Sequence, residues 1–330
     1  MSTNKQRVLL LAPSFFGYDI SIKEEVAKQG YDVDLYNCDP SRSFSFFFEL
    51  LKKMKICNHW MVRLFEKHVY RRIKNKKYDV VFVICGWALT SLFFNKIRSN
   101  NLLPNSRMVL YYWDSLSLLK EEPSRRECFD RIFSFDQDDC LANADRFVFL
   151  PLFFCNAFSL DHSFKKCRYH LSTVGSFKID RYFAITNLEK KNPDIRTNFI
   201  IFSPWLIIRV HKLFRKKYQQ VDLKRITKKK LTQKELLGVF QESYAFLDIP
   251  RIGQHGLTMR IFECLATNTK IVTTNKSIKN YPFYNPSNIY ILENDYLPDI
   301  AWFEKEYIPI GESVIKKYSI ENWVKTILQG

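Results

Sequence analysis

Glycine is scarce in this chain, nine of 330 residues against 29 phenylalanines. That excludes collagen-like and glycine-rich low-complexity chains. No uncharged apolar stretch reaches about 18 residues, so no transmembrane helix is predicted. Near the N-terminus the apolar run Val8 to Ala12 is too short for a signal-peptide core, and Pro13 ends it. A repeat of fixed period is missing, which excludes solenoids. None of the eight cysteines forms a Cys-x-x-Cys pair, so reduced, cytosolic, mostly core thiols are expected. Cys155, His162, Cys167 and His170 cluster at a spacing that fits no common zinc pattern. Gly-x-Ser-x-Gly, His-Glu-x-x-His, Walker-type loops and Gly-x-Gly-x-x-Gly are all absent, so serine-hydrolase, zinc-protease, P-loop and dinucleotide-binding readings have no support.

What is present is cationic, aromatic and well supplied with core residues. Lys plus Arg number 51 and Asp plus Glu 34, a net charge of +17, and 46% of residues are hydrophobic. Wholesale disorder is thereby excluded. The charge is concentrated. Lys52 to Lys77 holds one acid, Glu66, among its many cations, and Arg209 to Lys234 holds one, Asp222. The first window follows Phe44, Phe46, Phe47 and Phe48 and continues through Trp60, Leu64 and Phe65. Aromatics mixed with Lys and Arg on a helix suit an anionic lipid interface, and a core helix with a solvated lysine face has the same pattern. The second window lies where it can guide an anionic substrate. No zinc-finger, basic-zipper or RNA-binding sheet motif accompanies the charge, so nucleic acid is not an expected partner.

Strand and helix patterns alternate along the chain. Strands are predicted at Arg7 to Ala12, Tyr31 to Tyr36, Asp79 to Ile84, Met108 to Trp113, Arg131 to Phe135 and Arg146 to Leu150. Between them, Ser21-x-x-Glu24 reads as a capping box opening a helix that Gly30 closes, and Trp87 to Arg98 reads as helical. A second cycle has strands at His170 to Val174, Asn198 to Phe202, Tyr244 to Ile249, Lys270 to Thr274 and Asn288 to Leu292, with helices at Asp180 to Glu189, Leu231 to Glu242 and Leu257 to Ala266. This is the pattern of βαβ units and parallel sheets. The expected architecture is α/β: two doubly wound Rossmann-like domains facing a cleft, spanning 1–155 and 156–310, with a C-terminal helix in 311–330 crossing back to the first. Ligands in such sheets bind beyond the carboxyl ends of the strands.

The most informative stretch runs from Leu247 to Asn275. A strand ends at Asp248, a loop carries Gly253 and Gly256, and a helix starts near Thr258, where its first amides offer an anion site. Arg260 and Glu263 are three apart and share a helix face. Arg260 can hold a phosphate and Glu263 can accept from ribose hydroxyls; the plainer alternative is a surface ion pair worth a few tenths of a kcal/mol. Asp114 ends a strand beside Trp113, a place for a general base or for a helix cap over Ser115 to Leu119. Asp19 in the first loop is the second candidate base and Asp136 the third. Asp136-Gln-Asp138 and Asp32-Val-Asp34 have the Asp-x-Asp form that can bind a divalent ion, but helix-start and solvated-strand roles account for them better.

These residues resemble GT-B-fold bacterial glycosyltransferases, and among them the lipopolysaccharide and capsule biosynthesis proteins of the spore-maturation-type group. That group has a Gln-x-Gly-Leu-Thr-x-Arg-x-x-Glu element, matched here by Gln254, Gly256, Leu257, Thr258, Arg260 and Glu263, and then a Lys-x-Ile-Thr-Thr-Asn-like strand, matched by Lys270, Ile271, Thr273, Thr274 and Asn275. Tyr281 to Pro286, Val174 to Arg181, Tyr112 to Ser115 and Phe133 to Asp136 also look like the group. The resemblance implies a transferase that moves a sugar from a nucleotide-sugar to a saccharide or lipid-linked saccharide acceptor in surface-polysaccharide synthesis. It would need no metal or other cofactor and would act in the cytoplasm at the anionic inner face of the membrane. Gly175 and Arg181 would border the donor diphosphate, Thr258 and Arg260 would meet phosphate and Glu263 the ribose, with Gly256 in the same donor-binding set. Alternatives are a non-enzymatic scaffold of the same fold, or a polyol-phosphate transferase.

Overall fold

The computed structural model describes residues 5–40, 58–119, 123–158 and 167–329. The chain divides into two compact units: Met1–Leu152 with Ile252–Gly256 and Ile320–Gly330, and Phe153–Arg251 with Leu257–Ser319. The short 252–256 loop and the last helix thus return to the first unit.

The first unit is built on a parallel six-stranded sheet in the order β2-β1-β3-β4-β5-β6. The strands are β1 Arg7–Ala12, β2 Asp32–Asn37, β3 Tyr78–Ile84, β4 Leu102–Tyr112, β5 Arg131–Ser134 and β6 Phe147–Phe149. Val8 to Ala12 and Val81 to Ile84 are wholly buried. Each such large apolar side chain contributes roughly 1.5–3 kcal/mol, which is why uninterrupted apolar runs become central strands covered on both faces. Helices α1 Tyr18–Lys28, α2 Asn58–Ile73, α3 Ser91–Asn101 and α4 Gln137–Ala142 flank this sheet. Phe65, Val69 and Ile73 recur at helical spacing on α2 and join the core with Phe94 and Ile97 of α3.

The second unit repeats the plan in the order β12-β11-β10-β7-β8-β9. Its strands are β7 Tyr169–Ser176, β8 Thr197–Phe202, β9 Ile226–Thr227, β10 Ser243–Asp248, β11 Lys270–Thr273 and β12 Ile289–Ile291. Its helices are α5 Ile179–Lys191, α6 Trp205–Phe214, α7 Lys216–Gln219, α8 Gln233–Gln241, α9 Met259–Ala266, α10 Ile300–Glu304 and α11 Glu312–Lys316. The closing helix, α12 Ile320–Gln329, packs Trp323 against Phe82 and Tyr111 of the first unit's sheet, with ring centroids 5.7 and 4.7 Å away.

Several helix starts differ from the sequence expectation. No Ser21 capping box opens α1. The helix begins earlier, at Tyr18, after Gly17 in the left-handed region, and the Ser21 hydroxyl donates back to the Gly17 carbonyl. Residues 87–90 precede α3 rather than belonging to it: Thr90 caps the helix by accepting from the Phe93 N–H, while Glu66 accepts from both the Thr90 N–H and hydroxyl at 2.7 Å. That long-range carboxylate sets the start. At α8 Thr232 and Glu235 form the reciprocal capping box. β4 begins six residues earlier than Met108, at Leu102, and α6 was not anticipated.

Candidate functional site

In the second sheet β7 and β10 are paired neighbours, with β8 and β9 wound to one side and β11 and β12 to the other. The winding reverses between them, and ligands of open parallel sheets bind beyond the strand ends at that switch point. Gly175 lies next to the end of β7, and the chain then reaches Arg181 in the first turn of α5. After β10 it passes Ile249 and Arg251. Arg181 joins the two sides, donating from Nε and Nη2 to the Ile249 carbonyl at 3.1 and 2.8 Å. A Cβ at Gly175 would lie 3.2 Å from Arg181 Nη1, so the glycine leaves room for the guanidinium.

Beneath this lies Asp248, the last residue of β10, 6% exposed. It accepts from the Thr258 hydroxyl at 2.7 Å and the Thr273 hydroxyl at 3.4 Å. Burial raises its pKa above the ordinary carboxylate value, opposed by the Thr258 bond and by Arg181 and Arg260. Burial likewise lowers the Arg181 pKa, with Asp248 working against it and Arg251 and Arg260 adding to it. Two guanidinium groups, Arg181 and Arg260, therefore act on one buried carboxyl, and Arg251 adds its charge to the field at Arg181. Thr258 heads α9, and because its hydroxyl is turned to Asp248, no side chain caps the helix. The positive end of that dipole adds to the arginine cluster.

Arg260 lies over the rings of Phe246 and Phe240, 5.3 and 5.7 Å from their centroids, and is paired with Glu263. The pair is not a surface one: Glu263 has no exposed side-chain surface and Arg260 has 14%. Enclosed in this way, the Glu263 carboxylate orients Arg260, while Arg260 keeps the accessible edge.

Gly256 and Asp136 have roles that differ from the expected ones. Both belong to the first unit. Asp136 Oδ2 accepts from the backbone N–H of His255 at 3.2 Å and of Gly256 at 3.1 Å, and from the Ser115 hydroxyl. Its Oδ1 accepts from the Asp138 N–H, capping α4. The Gly256 amide is thus committed to a carboxylate and is not offered to a phosphate. Asp136, 1% exposed, thus holds the 255–256 loop and caps α4. Among the described residues no group of His, Cys, Asp and Glu is arranged to hold a metal ion. His162 of the cysteine–histidine cluster lies outside the described residues; Cys155 and Cys167 are buried.

At the first sheet's own switch point, between β1 and β3, the backbone is strained. Phe16 and Cys85 hold φ of 50° and 53°, values that non-glycine residues rarely adopt and that cluster at functional sites. Asp19 follows on α1, 6% exposed, with its Oδ1 buried and without a hydrogen-bond partner. Phe15 reaches across to Trp113, ring centroids 6.3 Å apart, which brings the loops after β1 and β4 together. Asp114 follows Trp113, half-buried, and helps raise the pKa of the buried Cys85 thiol, whose burial is the main cause. Asp114 does not cap the short 3-10 turn Leu116–Leu118; Ser115 stands at that position.

No protein-family model matches the sequence, and no curated protein matches it. Solved structures do. A glycosyltransferase from Rickettsia africae ESF-5 superimposes with a TM-score of 0.56 at 12% identity, covering 99% of this chain and 97% of its own. AviGT4, a glycosyltransferase involved in avilamycin A biosynthesis, gives 0.57 at 11%, covering 98% and 96%. MnaA of S. aureus, solved with UDP, gives 0.53 at 11%, covering 98% and 95%. The fold is GT-B.

On this GT-B frame the structure gathers Gly175, Arg181, Thr258, Arg260 and Glu263 in the second unit, and places Asp19 at the start of α1 and Asp114 after β4 in the first. Sequence reasoning missed Asp248 as the buried centre of the arginine cluster, and Arg251 beside it. A carboxylate ending an apolar strand, Ala245 to Leu247, was the available signal.

Proposed function

We propose that the protein transfers a sugar from a nucleotide-sugar donor to a saccharide acceptor. The observation that carries this reading is the placing of Arg181 and Arg260 about buried Asp248, with Arg251 near Arg181, at the switch point of the second sheet. Arg260 is matched by Glu263, and Arg181 with Arg251 near it outnumber the single carboxyl of Asp248, so the cluster retains positive charge whichever form that carboxyl takes. A nucleoside diphosphate is the leaving group of such a transfer, and fixed cations with a helix N-terminus stabilise the charge it develops. An ion is not required for that work. The GT-B fold, shared with solved glycosyltransferases, supports the same reading as an analogy of fold.

On the first unit, Phe15 and Trp113 offer aromatic faces for an acceptor sugar. In an inverting transfer Asp19 or Asp114 takes the proton of the attacking hydroxyl; Asp19 has a buried oxygen without a partner, Asp114 the aromatic platform. We place the acceptor on a lipid carrier at the cytoplasmic face of the membrane, within surface-polysaccharide synthesis of the lipopolysaccharide or capsule kind, on the strength of the Gln254 to Asn275 resemblance. A non-enzymatic scaffold is the second reading, favoured by the structural employment of Gly256 and Glu263. Calorimetry against UDP-, GDP-, CDP- and ADP-sugars separates the two. Binding of one donor, lost in Arg260→Ala, with turnover lost in Asp19→Asn or Asp114→Asn, supports the enzyme; no binding and no sugar release at high protein concentration supports the scaffold.

A further inference from the structure

Helix α6 carries an apolar stripe on its outside. Leu206, Val210, Leu213 and Phe214 are 58%, 38%, 76% and 81% exposed. Their spacing places them within one arc of the helix, opposite buried Ile208. Isolated exposed apolar residues need no explanation, but a contiguous stripe of large ones does. Its surroundings are cationic. Arg209 lies beside the stripe and Arg215 and Lys216 continue from its end, all exposed. Lys217, Arg225 and Lys229 are already paired with Asp180, Glu189 and Glu235, whereas Arg209, Arg215 and Lys216 have no acidic partner among the described residues. At ten residues α6 is far too short to cross a bilayer, and no helix of the described residues is long and apolar enough to do so.

We propose that α6 docks the second unit onto an anionic lipid surface, with Leu206, Val210, Leu213 and Phe214 entering the acyl boundary and Arg209, Arg215 and Lys216 meeting lipid phosphates. Apolar side chains on one face and rimming cations are what an in-plane interfacial helix requires. A nucleic acid would match the charge and leave the stripe exposed. A second copy of this chain would cover the stripe and bring like charges together. The other basic helix, α2, exposes only Trp60 and Leu64 among its large apolar residues, and the aromatic run from Phe44 that precedes it lies outside the described residues. The segment Phe44 to Lys77 expected to meet the membrane is thus described only from residue 58 on, and the proposal concerns the second basic window. It is independent of the sugar-transfer reading.

The test is co-sedimentation with phosphatidylcholine vesicles, with and without phosphatidylglycerol, at low and high salt. The parent pellets with the anionic vesicles at low salt and is released at about 1 M, where the Debye length is about 3 Å. Leu213→Glu/Phe214→Glu lowers partitioning by about tenfold or more, since a tenfold change is about 1.4 kcal/mol and burying either side chain is worth that much. Arg209→Gln/Arg215→Gln/Lys216→Gln lowers it for anionic vesicles only. These residues are exposed, so melting temperatures stay at the parental value. In Phe214→Trp the emission shifts to the blue on anionic vesicles. Equal pelleting of parent and Leu213→Glu/Phe214→Glu overturns the proposal. So does a concentration-dependent dimer that this variant abolishes, or tighter binding to nucleic acid than to vesicles.

Discussion

A Cβ at Gly256 would stand 2.6 Å from the Phe135 ring and 2.9 Å from the Phe135 carbonyl oxygen. Phe135 is wholly buried and cannot withdraw, so the glycine is there for close approach. Gly256→Ala should destabilise the protein by about 1–3 kcal/mol, the range for overpacking a dense core. Urea denaturation measures it; parental stability would show that the ring yields.

Asp136 holds the same loop through the amides of His255 and Gly256. Removing it leaves those donors and the Ser115 hydroxyl without their acceptor, and hydrogen bonds to a charged group are worth about 1.5–3 kcal/mol each. Asp136→Ala should therefore lose at least about 3 kcal/mol. With Asp136 so engaged, transferase turnover should persist in excess EDTA. Complete loss restored by Mn²⁺ would return Asp136 and Asp138 to the role of metal ligands.

Arg260 and Glu263 form a buried pair. Glu263→Ala removes the carboxylate that pairs with Arg260 and should cost about 3 kcal/mol, the low end for breaking a buried pair, because Arg260 keeps an exposed edge and Asp248 nearby. Replacing both residues by Met should recover most of that stability, because a well-packed apolar pair is often neutral relative to a buried ion pair. Donor binding should stay lost in the double variant. Calorimetry on a folded double variant that still binds donor would remove Arg260 from the site.

Lys270 is wholly buried in β11, where its ammonium donates to the carbonyls of Trp302 and Phe303. Burial, assisted by Lys305, lowers its pKa from 10.5 to about 8. Between those values the unfolded chain binds the proton that the folded chain has released, so this group's contribution to stability rises with pH there, and below about 8 its destabilising effect is fully present. Lys270→Met lacks the titration. Its stability relative to the parent should be highest near pH about 7 and fall steadily by pH about 9.5. A pH-independent difference in denaturant midpoints would refute the shift.

The amino-acid sequence by itself determined the two α/β cycles and the identity of the central strands. Runs such as Val8 to Ala12 and Val81 to Ile84 have no polar face to present to water, so burial on both sides dictates their place whatever surrounds them. It also placed Arg181, Thr258 and Arg260 near strand ends, since position after a parallel strand is a local property of the chain. Only the tertiary structure decided what those residues touch. α1 starts at Tyr18 because Gly17 turns the chain there, and the Ser21–Glu24 pattern is overruled. α3 starts where Glu66 reaches Thr90. Gly256 and Asp136 are 120 positions apart, and no spacing rule joins them. The outward turn of Leu213 and Phe214 is likewise invisible in an apolar run that reads equally well as core. Periodicity reports which residues share a face; which face is covered, and by what, depends on packing between segments distant in the chain.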